Sequence, residues 1–153
     1  MRKQKIIALF LTLVLILTGC IFESRDSQVL KTLGNYEFCR FWTRGEFQDY
    51  TDFGIYHYVY ADLENNPYFR RVSADDIETI RGYLDNYEQW IVTFRDNDPD
   101  DELVQNYHFD REILDTQDYF YIYNHYEDKP YWNYDLWVFD SQTKVLYYFH
   151  TNI

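Results

Sequence analysis

Three strand-length runs near the end of the chain constrain its fold more than anything before them: DYFYIYN (118–124), YDLWVFD (134–140) and KVLYYFH (144–150). Each is dense in aromatic and aliphatic side chains, which pack well on a pleated, half-buried surface. Lys129-Pro130 breaks the chain between the first two runs, and Asp140-Ser141-Gln142-Thr143 supplies a tight hairpin loop between the second and third. Short connections make neighbouring strands antiparallel, so the C-terminus is predicted to be a meander. Val145, Tyr147 and Phe149 alternate with Leu146, Tyr148 and His150, which predicts that the last strand is integral to the sheet.

Further strands are expected from Tyr36 to Trp42 and from Ile55 to Asp62, where Tyr56, Tyr58 and Tyr60 alternate with Ile55, His57 and Val59. Leu63 to Pro67 (LENNP) has turn chemistry, and Tyr68 to Val72 is expected to return as a short strand. Val29 to Leu33 fits neither period decisively. A single long helix is predicted over 74–91. Ser73 can cap its free N–H groups, Asp75 and Asp76 oppose the positive end of the helix dipole, and Val72 is placed to staple Ile77. Its core stripe is Ile77, Ile80, Leu84, Tyr87 and Ile91, spaced three or four apart. RDNDPDDE (95–102) reads as a polar loop and Glu102 to Tyr107 as one more helical turn. The expected fold class is α+β: a small antiparallel β-sheet rich in aromatics, packed against one main α-helix.

The N-terminus carries a different message. Arg2, Lys3 and Lys5 precede an almost unbroken apolar run from Ile6 to Leu17, and Leu17-Thr18-Gly19-Cys20 closes it. The run is about twelve residues, roughly 18 Å as a helix against a hydrocarbon core near 30 Å, too short for a comfortable span. The segment resembles the signal peptides of bacterial lipoproteins, whose lipobox of aliphatic residue, small residue, Gly or Ala, then Cys is matched at Leu17 to Cys20. The resemblance implies cleavage after residue 19 and a diacylglyceryl anchor on the sulfur of Cys20. Residues 1–19 are then signal peptide, 20–28 lipidated Cys and tether, and 29–153 one domain. The implied location is the cell membrane, lipid-anchored on its extracytoplasmic side. The hairpin VFDSQTKVLYYFHTNI (138–153) also resembles small, uncharacterised extracytoplasmic proteins of low-GC Gram-positive bacteria, a likeness that implies no activity.

Cleavage would leave 134 of the 153 residues, enough for one domain. The signal holds three of the 14 basic residues and no acid, so the mature chain carries 11 basic against 26 acidic residues, a formal charge of −15. That balance opposes binding to nucleic acid and adsorption to an anionic leaflet, so attachment falls to the lipid. With Cys20 acylated, Cys39 has no disulfide partner in the chain. Its aromatic setting, Tyr36 to Trp42, is that of a small buried hydrophobe rather than a reactive thiolate.

Aromatic residues number 33 of 153, and 17 are Tyr, whose flat face and hydroxyl suit sugar stacking when carboxylates stand nearby. Tyr119, Tyr121 and Tyr123 share one predicted face. Tyr131, Trp132 and Tyr134, beside Asp128 and Asp135, form the candidate ligand-binding group; cross-strand packing is the competing account of the same residues. The acidic loop 96–102 places carboxylates at alternate positions, but Asp101 stands where an EF-hand needs Gly and Tyr107 where it needs a bidentate Glu. His57, His108, His125 and His150 show no metal-ligand spacing, and no nucleophile, P-loop or dinucleotide motif is present. No metal, cofactor or catalytic residue is assigned. The expected function is non-catalytic binding of an envelope or extracellular protein by an acidic, aromatic surface. The alternatives are a glycan-binding module using surface Tyr and Trp and, third, a small hydrolase.

Overall fold

The structure, a computed structural model, describes residues 24–46 and 49–152. The signal segment, the lipobox and Cys20 lie outside the described residues. In chain order the elements are α1 (Arg25–Leu33), β1 (Tyr36–Glu46), β2 (Asp49–Tyr58), β3 (Arg70–Arg71), α2 (Ala74–Asn97), α3 (Glu102–Asn106), a 3-10 turn (Arg111–Ile113), β4 (Tyr119–Asn124), β5 (Asn133–Asp140) and β6 (Val145–Asn152). The chain divides into two compact units between Thr32 and Leu33. No helix among the described residues is long and apolar enough to cross a membrane.

α1 includes Arg25 to Gln28, which the sequence assigns to the tether. Its start is marked by Ser24, whose Oγ accepts from Ser27 N–H at 3.3 Å and whose carbonyl accepts from Gln28 N–H at 3.1 Å, with Asp26 in the first turn. That N-terminal signal decides for helix at the segment whose period is indecisive.

The strands form one antiparallel sheet in the order β1-β2-β6-β5-β4-β3, which bears out the α+β class and the C-terminal meander. β6 sits in its interior between β2 and β5. Three expected strands have other limits, that from Tyr68 to Val72 being reduced to Arg70–Arg71. β1 continues past Trp42 to Glu46, and β2 begins at Asp49 and stops at Tyr58, leaving Val59 and Tyr60 exposed. The pair is a hairpin whose turn needs Gly45: at φ 136° a Cβ there would collide with the Asp49 carbonyl oxygen.

α2 runs six residues beyond Ile91. Nothing between Val92 and Asn97 breaks a helix, and termination comes at Asp98, the residue before Pro99, where helical geometry is disfavoured. At its N-terminus Asp76 rather than Ser73 is the hub. Its carboxylate accepts from Ser73 N–H at 2.9 Å, from the Ser73 hydroxyl at 2.5 Å, and from both terminal nitrogens of Arg70 at 2.8 and 2.6 Å.

One face of the sheet packs on α2. Phe53, Ile55, Leu136, Val138, Phe149 and Phe120 meet Ile80, Leu84, Tyr87 and Ile91 in a continuous core that also includes Tyr83, which lies outside the expected stripe; Ile77 is half-buried at its border. Each such aliphatic or Phe side chain contributes about 1.5–3 kcal/mol by burial. The tyrosines there have partners for their hydroxyls, as buried phenols require. Tyr87 donates to the Asp52 carbonyl at 2.8 Å, Tyr134 to the Tyr83 carbonyl at 2.9 Å, and Tyr83 to Asn124 Oδ1 at 2.9 Å. Within the acidic loop, Asp101 accepts from Leu103 and Val104 N–H at the start of α3 and pairs with Arg44 at 3.2 Å.

Cys39 is exposed, contrary to the sequence expectation. It lies on β1, the outermost strand, where an aromatic neighbourhood along the chain does not enclose a side chain.

Candidate functional site

The face of the sheet opposite α2 carries a polar cluster at one end of a run of stacked rings. Trp137 and Tyr148 stack with centroids 4.0 Å apart, and Phe41 and Tyr56 flank them at 6.1 and 6.4 Å. Next along β5 and β6 stand Asp135 and His150, which the register places directly opposite each other. His125 follows the end of β4, with its N–H bonded to the Asn133 carbonyl at 2.9 Å. Two residues beyond Tyr123, the register partner of Asp135, it falls on the same face by the period of two. Three adjacent strands thus deliver one side chain each to a common point.

Asp135 is the centre of that point. Its Oδ1 accepts from the Tyr148 hydroxyl at 2.7 Å and lies 2.7 Å from His150 Nδ1, while Oδ2 lies 3.0 Å from His125 Nε2. Burial pushes this carboxyl up, but the bonds and charge of His150, with the bonds of Tyr148 and His125, outweigh it and hold the group below the usual carboxylate value. Asp52, across β6 in register with His150, is shifted the other way. Burial raises it more than the Thr43 hydroxyl bond and the His150 charge lower it. Tyr50 stacks on the His150 ring at 4.7 Å. His150 Nε2 is buried with no hydrogen-bond partner.

Beside this cluster opens a cleft of about 710 Å³ lined by Asp49, Tyr126, Asp128, Lys129, Trp132, Asn133 and Asn152. Asn133 and Asn152 are one same-face step along β5 and β6 from Asp135 and His150, and Asn133 Nδ2 donates to Asn152 Oδ1 at 2.7 Å. Asn133 Oδ1 is buried without a partner. Lys129 holds its ammonium 3.9 Å over the Trp132 ring.

The five candidate ligand-binding residues do not converge. Asp128 and Trp132 line the cleft, and Trp132 is 56% exposed. Tyr131 is partly exposed but turns toward α2, its ring 4.9 Å from that of Tyr83. Tyr134 is fully buried in the helix-side core and is not available to a ligand, which corrects its place in the candidate group. Asp135 belongs to the histidine cluster. The alternation of β5 sends Tyr134 and Asp135 to opposite faces. The residues missing from the candidate group are Asp49, Tyr126, Lys129, Asn133 and Asn152 in the cleft, with His125 and His150 in the cluster.

One signal for the cluster was present in the sequence. A hairpin closed by Asp140 and Val145 places Asp135, five residues back, opposite His150, five residues on. Comparison with protein-family models, with curated proteins and with solved structures gives no match to this chain.

Proposed function

We propose that the protein is a membrane-anchored, extracytoplasmic binding module, held by lipid on Cys20, that captures an extended segment of an envelope or extracellular protein along β1. The observation that carries this reading is the edge of the sheet. β1 has eleven residues, it is outermost in the strand order, and Tyr36, Phe38 and Phe41 on it are 41, 48 and 49% exposed. Long edge strands with exposed aromatic side chains invite pairing with another chain, and β1 keeps three such rings exposed among its charged residues Glu37, Arg40 and Arg44. The opposite edge, β3, is two residues long. The acidic charge of the mature chain favours a basic partner and gives the association a salt dependence.

The test uses the exposed Cys39 on the same strand. A photo-crosslinker on its thiol should trap one defined protein in intact envelopes, with a yield that falls in high salt and in a Phe38→Glu/Phe41→Glu variant. A yield indifferent to that double substitution would reject β1 as the surface. The anchor is tested separately: Cys20→Ser should abolish fatty-acid labelling and release the protein from membranes, and unchanged labelling would refute the lipobox reading.

A second reading, glycan binding, is favoured by the cleft, where the exposed Trp132 and Tyr126 rings stand among Asp49, Asp128, Asn133 and Asn152. It predicts retention on a polysaccharide array with little salt dependence, lost in Trp132→Ala. Equal retention of wild type and Trp132→Ala would remove it.

A further inference from the structure

We infer that His125, Asp135 and His150 form a binding site for one divalent transition-metal ion, zinc by the character of its donors. Two imidazoles and one carboxylate are the nitrogen and oxygen set that zinc takes, whereas calcium and magnesium prefer oxygen alone. The three donor atoms lie within 4.8 Å of one another. A tetrahedral ion with bonds of about 2.0–2.1 Å needs its ligands roughly 3.3 Å apart. The two contacts to Asp135 run to different oxygens, 3.0 Å from His125 Nε2 to Oδ2 and 2.7 Å from His150 Nδ1 to Oδ1, so the ion is admitted by a turn of the carboxylate and of the partly exposed His125 ring that brings the three donors to a common separation.

The supporting chemistry is independent of the distances. Both imidazoles bind an ion as neutral ligands, each through the ring nitrogen that faces Asp135 and with its proton on the other nitrogen. The Tyr148 hydroxyl on Asp135 Oδ1 orients the carboxylate from behind, the part usually played by a second-layer hydrogen bond around a metal ligand. Access is from the His125 side, where the side chain is 36% exposed; Asp135 and His150 are buried at 4 and 5%. Three protein ligands leave a fourth position for water or for a donor atom of whatever occupies the neighbouring cleft.

Titrating the full-length chain in detergent with Zn2+ alone should give one strong site per chain and raise the melting temperature, since an ion that binds only the folded state stabilises it. Co2+ should give the intense visible bands of a four-coordinate ion. His125→Ala removes a ligand outside the core, so the variant should fold, lose those bands and weaken Zn2+ binding by at least about tenfold, one step of 1.4 kcal/mol. Asp135→Asn should do the same if it folds, and His57→Ala, remote from the cluster, should bind as wild type. Absence of stoichiometric Zn2+ binding by the wild type would overturn the assignment. So would equal affinity in His125→Ala and His57→Ala.

Discussion

Tyr134 and Asp135 are consecutive in the chain and take part in different chemistry. One closes the core beneath α2, its hydroxyl on the Tyr83 carbonyl at 2.9 Å, and the other gathers two histidines and a tyrosine on the far face. Urea denaturation should separate the residues once grouped as a ligand site. Tyr134→Ala should cost about 3–5 kcal/mol, as loss of a buried aromatic does, and Tyr134→Phe about 1 kcal/mol for the hydrogen bond. Trp132→Ala, over half exposed, should stay within about 0.5 kcal/mol of wild type. A Tyr134→Ala protein as stable as Trp132→Ala would contradict the packing described for β5. The sequence contained the means to separate these residues, because a period of two cannot put neighbours on one face. What it did not contain was which face α2 covers, so an exposed Trp132 and a buried Tyr134 looked alike.

At the scale of elements, α2 combines local signals with one that comes from outside the helix. Its start and the positions of Ile80, Leu84, Tyr87 and Ile91 follow from sequence periodicity. Tyr83 escaped that pattern because its ring packs against Tyr131 and Tyr134, at 4.9 and 4.8 Å, and those contacts depend on where β5 lies. Leu84→Asp should bury an unpaired charge and abolish a cooperative melt, and Leu84→Ala should cost about 2–5 kcal/mol. An unaltered melting temperature for Leu84→Asp would mean that the stripe faces water.

The cap of the same helix makes stability depend on acid. The Arg70 bonds first, and those of Ser73 next, lower the Asp76 carboxyl to about 2. A carboxyl held below its unfolded value of about 3.9 stabilises the fold above that value, and the contribution disappears as pH falls through the folded value. Between about pH 4 and pH 2 the advantage of wild type over Asp76→Asn in melting temperature should therefore shrink toward zero. An advantage that persists undiminished at pH 2 would show that the carboxylate is not what the cap uses.

For the whole molecule, the sheet is assembled from a hairpin (β1, β2) and a meander (β4, β5, β6), joined only where β2 pairs with β6. Ending the chain after Thr143 deletes β6 and leaves the two halves without a common strand. The truncated protein should lack a cooperative thermal transition by near-UV circular dichroism; a native-like melt would make β6 dispensable. The meander was legible because its turns are short and rich in Asp, Ser and Pro. The insertion of β6 beside β2 was not, because that pairing joins His57 to Val145 and Tyr50 to Asn152 across most of the chain, and no local residue announces it.

β6, the last of the described strands in chain order, is thus the one on which the sheet closes. The β1–β2 hairpin can form early, but the other edge of β2 waits for residues 145–152, so a chain emerging at about 5–20 residues per second spends several seconds with the strand that joins the two halves missing. Long-range pairing of this kind is also slow once the strands are available. If the chain crosses a membrane unfolded, as proposed from its N-terminus, this order is an advantage: the sheet cannot close until residues 145–152 have followed the rest through.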